Sequence, residues 1–294
     1  MIILYRIIIN FIFLISPLII IFRLIKKKED LRRFKEKFCS FSEKKISGKT
    51  IWFHGASVGE LQSIIPLIEK LEKDNKIKKI LITSNTLSSS KILNKISFKK
   101  VVHQFFPIDT NFHSKKFLNY WNPSSVFFID SEIWPNMLLN LKKRKIPITL
   151  LNGRITKKSF SRWKIFSSFS KKVFENLDLC LCSDKTSKKY LKQLGARNIK
   201  FIGNLKFSQS ENEIIKINQN IKKFLASKKI WCASSTHNTE EKFCSIAHKE
   251  LKKKYNNLLT IIIPRHIDRV PIIINDLEEL KLKIHIFSSK KKIE

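Results

Sequence analysis

The chain has 294 residues, of which 43% are hydrophobic and 23 are Phe, enough for one large core or two of ordinary size. That excludes a disordered or fibrous protein. The 58 Lys and Arg against 24 Asp and Glu leave a formal charge of +34, which points to nucleic acid, an anionic membrane or a phosphorylated substrate as partner, or to compositional drift toward Lys, Ile and Asn.

Residues 1–25 are almost all apolar, interrupted by Arg6, Asn10, Ser16, Pro17 and Arg23. As a helix they reach ~37 Å, enough for a hydrocarbon core of ~30 Å. No small-residue cleavage site follows, so a membrane anchor, spanning or monotopic, is expected rather than a cleaved signal or a buried core helix. Segment 26–49 is basic and juxtamembrane: Lys26, Lys27, Lys28, Arg32, Arg33, Lys35 and Lys37 place the rest of the chain in the cytoplasm.

From Thr50 onward, apolar runs alternate with amphipathic stretches. Strands are expected at 50–54, 79–84, 101–106, 125–129, 147–151, 178–182, 199–202, 229–233, 258–263 and 283–287. Helices are expected between most of them, for example at 58–73, 135–144, 184–194 and 239–255. Runs such as Val126-Phe127-Phe128-Ile129 are apolar at every position, so both faces are buried, as in a parallel α/β sheet. The count exceeds one short Rossmann unit, and a polar break at Ser208–Asn212 starts a second. The five cysteines are odd in number and lack metal-site spacing, so reduced, buried thiols are expected, with Cys180 and Cys182 on one side of a strand.

Ligands of open α/β sheets bind outside the carboxyl ends of the strands. Those ends are polar here, and four of the six glycines (Gly55, Gly59, Gly153, Gly203) sit in them. The first is His54-Gly55-Ala56-Ser57-Val58-Gly59-Glu60, a small-residue turn into a helix whose amides suit an anionic ligand. Glu60, in the first helical turn, reads either as a general base or as a helix-dipole partner. Asp130-Ser131-Glu132-Ile133-Trp134-Pro135 offers two carboxylates, as an acid/base pair or as a cap before Pro135. Asn152-Gly153-Arg154 brings a guanidinium for a carboxylate or phosphate, and Gly203-Asn204-Leu205-Lys206 a lysine. Ser234-Ser235-Thr236-His237 and Pro264-Arg265-His266 end two strands of the second unit.

Taken in order, HGASVGE (54–60), FPIDT (106–110), DSEIWPN (130–136), NGR (152–154), GNLKF (203–207), SSTHNTEE (234–241) and PRHIDR (264–269) resemble the Kdo transferases, glycosyltransferase family 30. The resemblance implies a GT-B fold: a membrane helix at 1–25, a complete N-terminal Rossmann-like acceptor domain at 50–207, and a partial C-terminal donor domain at 208–294. It implies inverting transfer of 3-deoxy-D-manno-octulosonic acid (Kdo) from CMP-Kdo to the lipid A precursor lipid IVA, at the anionic inner membrane, with no metal or cofactor. Glu60 matches the general base, and Asp130 and Lys206 match positions for transition-state stabilisation. Ser57, Gly59, Glu132, Asn152, Arg154, Ser235, Thr236, His237, Pro264, Arg265 and His266 are expected to bind substrate.

Two departures stand out. Asp130 is one methylene shorter than the family's usual Glu. The family also continues into a glycine-rich stretch and an Asn/Glu motif that help hold CMP. A C-terminally truncated donor site is therefore expected, and an inactive relic is the alternative function. A nucleic-acid partner is not expected, because the lysines are spread over helices (70–79, 141–145, 188–192) without a reader motif.

Overall fold

The computed structural model describes residues 1–41, 43, 48–93, 96, 98–208 and 219–287. The chain forms two compact units, Met1–Ser210 and Glu211–Glu294.

The first unit opens with α1 (Ile2–Ile25) and then alternates strand and helix. The order is β1 (Thr50–His54), α2 (Val58–Glu72), β2 (Lys79–Ser84), α3 (Leu87–Leu93), β3 (Val101–Phe105), α4 (Asn111–Trp121), β4 (Ser125–Ile129) and α5 (Pro135–Lys143). It continues through β5 (Ile148–Gly153), α6 (Lys157–Ile165), α7 (Ser167–Phe174), β6 (Leu179–Cys182), α8 (Lys185–Leu194) and β7 (Ile199–Phe201). The seven strands are all parallel, in the order β3-β2-β1-β4-β5-β6-β7. The order reverses between β1 and β4. A doubly wound sheet opens a crevice at that switch point, outside the carboxyl ends of the strands.

Alternation along β1 builds the core on both faces. Trp52 packs with Phe117, Phe128 and Leu138 on one side, and Phe53 with Ile64, Ile68 and Ile82 on the other. β1 and β2 are buried at every position, as their unbroken apolar runs require.

α1 is tied to this unit along one stripe. The Tyr5 hydroxyl donates to Asp109 Oδ2 (2.8 Å), Arg6 Nε donates to Asn136 Oδ1 (3.0 Å), and Phe13 packs against Phe38 and His113. The rest of its surface is exposed and apolar: Ile3, Leu14 and Leu18 are 71%, 72% and 69% exposed. Among the described residues it is the one helix long and apolar enough to cross a membrane. Residues 42 and 44–47 of the basic segment after it lie outside the described residues.

The second unit contains α9 (Gln219–Ala226), β8 (Lys229–Thr236), α10 (Glu240–Lys254), β9 (Leu258–Pro264) and α11 (Val270–Glu279). β8 and β9 pair in parallel, with α10 as the crossover. The strand expected at 283–287 is not found: these residues are described but pair with no other described strand, and a segment becomes a strand only where an edge takes its backbone groups. Burial on both faces also fails here. Ile230 is 41% and Ile263 50% exposed, because two strands give less cover than seven. Of the polar break at Ser208–Asn212, only Ser208 is described. Cys39, Cys180 and Cys182 are buried, but Cys232 is exposed on β8 and Cys244 half-buried on α10, so the expectation of buried thiols holds for three of five.

Candidate functional site

The turn after β1 and the turn after β4 flank the switch point, and they carry the carboxylates. Ser57 caps α2: its Oγ accepts from the Glu60 N–H (3.3 Å) and donates to Glu60 Oε1 (2.7 Å). The other carboxylate oxygen, Oε2, accepts from the Ala56 N–H (2.7 Å). The pairing resembles a capping box, except that the glutamate takes the N–H of the residue before the cap rather than that of Ser57. Ser57→Ala is therefore expected to cost about 1 kcal/mol in denaturant unfolding, as loss of an N-cap does; no change would show that water serves the helix end equally well.

Gly55 is closely packed: a Cβ there would lie 3.1–3.2 Å from side-chain atoms of Leu61, Glu60 and Ile129, which would have to give by a few tenths of an ångström. Burial raises the Glu60 carboxyl above the ordinary glutamate range. Its bonds from Ser57 and Ala56 oppose that rise, and the charges of Glu132 and Asp130 add to it.

Glu132 is held from two directions. Its Oε2 lies 3.1 Å from His54 Nε2 and accepts from the Trp134 indole N–H (2.9 Å). His54 is fully buried, stacked on Phe106 with centroids 3.9 Å apart, and its Nδ1 lies 2.9 Å from Thr83 Oγ1. The His54–Glu132 contact thus bridges β1 and the turn after β4 across the switch point.

Asp130 has φ +62°, a left-handed conformation that is uncommon for a residue other than glycine. Its Oδ1 is buried and has no hydrogen-bond partner among the described residues. A left-handed backbone together with an unsatisfied buried carboxylate oxygen makes Asp130 a candidate functional position. Burial raises its pKa; the charges of Lys206 and Arg154 pull it down, and those of Glu132 and Asp184 push it up.

Two further turns complete the group. Asn152, also left-handed at φ +55°, accepts from the Leu205 N–H at Oδ1 (3.0 Å) and so fixes the 203–206 turn to β5. The Arg154 N–H donates to the Asp130 carbonyl (3.1 Å), and its side chain is exposed. Lys206 Nζ sits over Gly59, 3.8 Å from where a Cβ would be. Asp130 thus links the set: its charge acts on Glu60, and those of Lys206, Arg154 and Glu132 act on it. Ser57 and Asn152 are scaffold to it.

The residues expected in the second unit gather at the ends of β8 and β9. Ser235 (φ +59°), His237, Arg265 and His266 are exposed, and the Arg265 N–H donates to the Thr236 carbonyl (3.0 Å). Pro264 ends β9, half-buried. Thr236 is differently employed. It is buried, and its hydroxyl donates to Glu241 Oε1 (2.7 Å), a carboxylate that Arg269 grips with both nitrogens at 2.9 and 3.0 Å. That lock holds the turn after β9 against the start of α10.

Sequence reasoning passed over His54, Trp134, Glu241, Arg269 and Asp109. All five lie inside the quoted motifs, but nothing local marks their partners, which come from distant segments. Among the described residues, no three or more His, Cys, Asp or Glu side chains are grouped as for a metal ion.

Residues 32–209 match the family model described as 3-Deoxy-D-manno-octulosonic-acid transferase (kdotransferase). The 3-deoxy-D-manno-octulosonic acid transferase of Rickettsia bellii is 33% identical over 272 residues, covering 90% of this chain and 64% of that protein. The transferase of the same name from Haemophilus influenzae is 29% identical over 237 residues, 79% of this chain and 56% of that one. The chain therefore spans between half and two thirds of the length of such relatives. Among solved structures, UDP-GlcNAc 2-epimerase from Neisseria meningitidis aligns over 78% of this chain and 69% of its own (TM-score 0.55, 16% identity). A putative UDP-N-acetylglucosamine 2-epimerase from Listeria monocytogenes aligns over 80% and 66% (TM-score 0.56, 13% identity). At such identities the likeness shows the fold alone, an α/β architecture of the GT-B type.

Proposed function

The chain belongs to the 3-deoxy-D-manno-octulosonic-acid (Kdo) transferase family, and from that premise we propose that it transfers Kdo from CMP-Kdo to lipid IVA, with inversion and without a metal or cofactor. The observation that carries this reading is the meeting of Glu60, Asp130 and Lys206 at the switch point of the first sheet. Glu60 takes the proton from the acceptor hydroxyl. Its carboxyl is raised by burial, which makes it a stronger base than a solvated glutamate. Lys206 offsets charge building on the departing CMP phosphate, and Asp130 orients Lys206 and Arg154. In the second unit, Ser235, His237, Pro264, Arg265 and His266 hold the nucleotide. α1 anchors the protein at the inner membrane with the catalytic part in the cytoplasm, in keeping with the cations that follow it.

The test is incubation with CMP-Kdo and lipid IVA, with Glu60→Gln as control. A Kdo-bearing lipid formed only by the unaltered protein is the expected result, and no product from well-folded protein would overturn the reading. The electrostatics add a second expectation. After burial, the Glu132 charge helps raise the Glu60 carboxyl. Glu132→Gln removes that charge, so the Glu60 pKa falls. Because the base acts deprotonated, the acidic limb of the kcat/KM profile moves to lower pH. An unmoved limb in a pH series would show that Glu60 does not set it.

A further inference from the structure

An open cavity of about 360 Å³ lies beside the C-terminal end of α1, walled by Arg23, Lys27, Lys28, Thr86, Leu87, Ser88 and Lys91. Four of these residues are cations, two are hydroxyls, and no carboxylate lines the space. Glu29, the nearest acid in sequence, is committed elsewhere: its Oε1 is shared by Arg23 Nε (2.6 Å) and Lys37 Nζ (2.5 Å), and its side chain is buried. Lys27, Lys28 and Lys91 have no ion-pair partner among the described residues. Positive charge concentrated in a concave, hydroxyl-lined space suits a phosphate, which takes several charge-assisted bonds at once.

Lys27 and Lys28 lie in the turn that closes α1. α1 ends with the Lys27 N–H donating to Leu24 O (2.9 Å) and the Lys28 N–H to Arg23 O (2.8 Å), and Lys27 is left-handed at φ +52°. Glycine usually takes that place, and lysine there costs about 1 kcal/mol or more. On the opposite wall Thr86 Oγ1 lies 2.6 Å from Ser89 Oγ, and Ser89, outside the cavity, leads to the switch point. Ser89 Oγ donates to the Ala56 carbonyl (3.4 Å), and the Ala56 amide binds the Glu60 carboxylate (2.7 Å).

We propose that this cavity binds a phosphate group carried on a lipid. Its place at the end of the helix suited to a membrane puts it at headgroup level, and its wall residue Thr86 reaches the Glu60 turn through Ser89, by two hydrogen bonds in series. The inference rests on the transferase reading only for the identity of one source, the phosphates of the acceptor; the other source is a phospholipid headgroup.

The experiment measures lipid binding without turnover, using the full chain with Glu60→Gln. The probes are phosphatidylcholine vesicles carrying lipid IVA, the same vesicles carrying dephosphorylated lipid IVA, and the same vesicles carrying phosphatidic acid. Lys28→Gln with Lys91→Gln is compared with Lys222→Gln with Lys223→Gln, an equal loss of charge on exposed α9 positions. The cavity pair is expected to weaken binding of a phosphate-bearing lipid at least about tenfold beyond the control pair, since one charge-assisted bond is worth about that factor. A loss confined to lipid IVA assigns the acceptor phosphate, and a loss with phosphatidic acid as well assigns a general headgroup. Equal behaviour of the two pairs on every vesicle overturns the proposal. A failure of Kdo transfer by unaltered protein that still binds in this way would overturn the transferase reading alone.

Discussion

Replacing Glu60 by Gln is expected to lower Kdo transfer about 10²–10⁴-fold, the range lost when a positioned general base is removed. The substitution is chosen because the structure gives Glu60 a second occupation. Both of its carboxylate oxygens are engaged at the start of α2, one by Ser57 and one by the Ala56 amide. A glutamine at the same position keeps both links, accepting from the Ala56 N–H through its amide oxygen and donating to Ser57 Oγ through its amide nitrogen. The stability change is therefore expected to stay within about 1 kcal/mol, the scale of a whole N-cap. Transfer and unfolding then separate the two roles: lost activity with retained stability assigns a base, and near-normal transfer leaves a capping glutamate. The pH dependence of stability has a definite sign. A carboxyl raised by burial holds its proton in the folded state after the unfolded chain has released it. The unaltered protein therefore loses stability as pH rises from the ordinary glutamate value to the raised one, and Glu60→Gln lacks that slope.

The sheet was legible because parallel strands buried on both faces leave unbroken apolar runs, and β1, β2 and β4 begin and end where those runs do. Reading failed at 283–287, where Lys283 and His285 interrupt the apolar residues and no described strand pairs with them. The site was legible in part for a similar reason. Gly55, Glu60, Asp130, Asn152 and Lys206 stand at strand ends, which the alternation locates without knowledge of contacts. The roles within the cluster were not legible. That His54 holds Glu132 follows from the sheet order, which sets β4 rather than β2 or β3 on the far side of β1. That Thr236 is bound to Glu241 rather than exposed follows from Arg269, a residue 33 positions away. Asp130 was marked as a departure because of its length; the structure adds that its backbone is left-handed and that one buried oxygen has no partner among the described residues.

Asp109→Ala is expected to destabilise the first unit by about 3–5 kcal/mol, more than any surface change, because it strands several buried donors at once. Asp109 is wholly buried. Its Oδ1 accepts from the Met137 N–H (2.8 Å) and its Oδ2 from the Asn136 N–H (2.9 Å), so it satisfies the start of α5 from another segment. Oδ2 also accepts from the Tyr5 hydroxyl (2.8 Å), and Oδ1 from Ser114 (3.2 Å). One carboxylate thereby joins α1, α4 and the helix that follows the Asp130–Trp134 turn. Tyr5→Phe removes only the first link and is expected to cost about 1 kcal/mol, as a single hydrogen bond does. Denaturant unfolding of the two variants tests that ranking, and equal losses would mean that α1 contributes the whole effect. Burial raises Asp109 from 3.8 to about 7 in spite of its four donors. The folded state then keeps a proton that the unfolded chain gives up near pH 4, so stability falls between about pH 4 and 7 and levels above. Three pKa units correspond to at most about 4 kcal/mol over that window. Asp109→Asn cannot titrate, so its stability should lie flatter against pH than that of the unaltered protein. A parallel pair of curves would show that Asp109 is ionised across the whole window and that its four donors outweigh its burial.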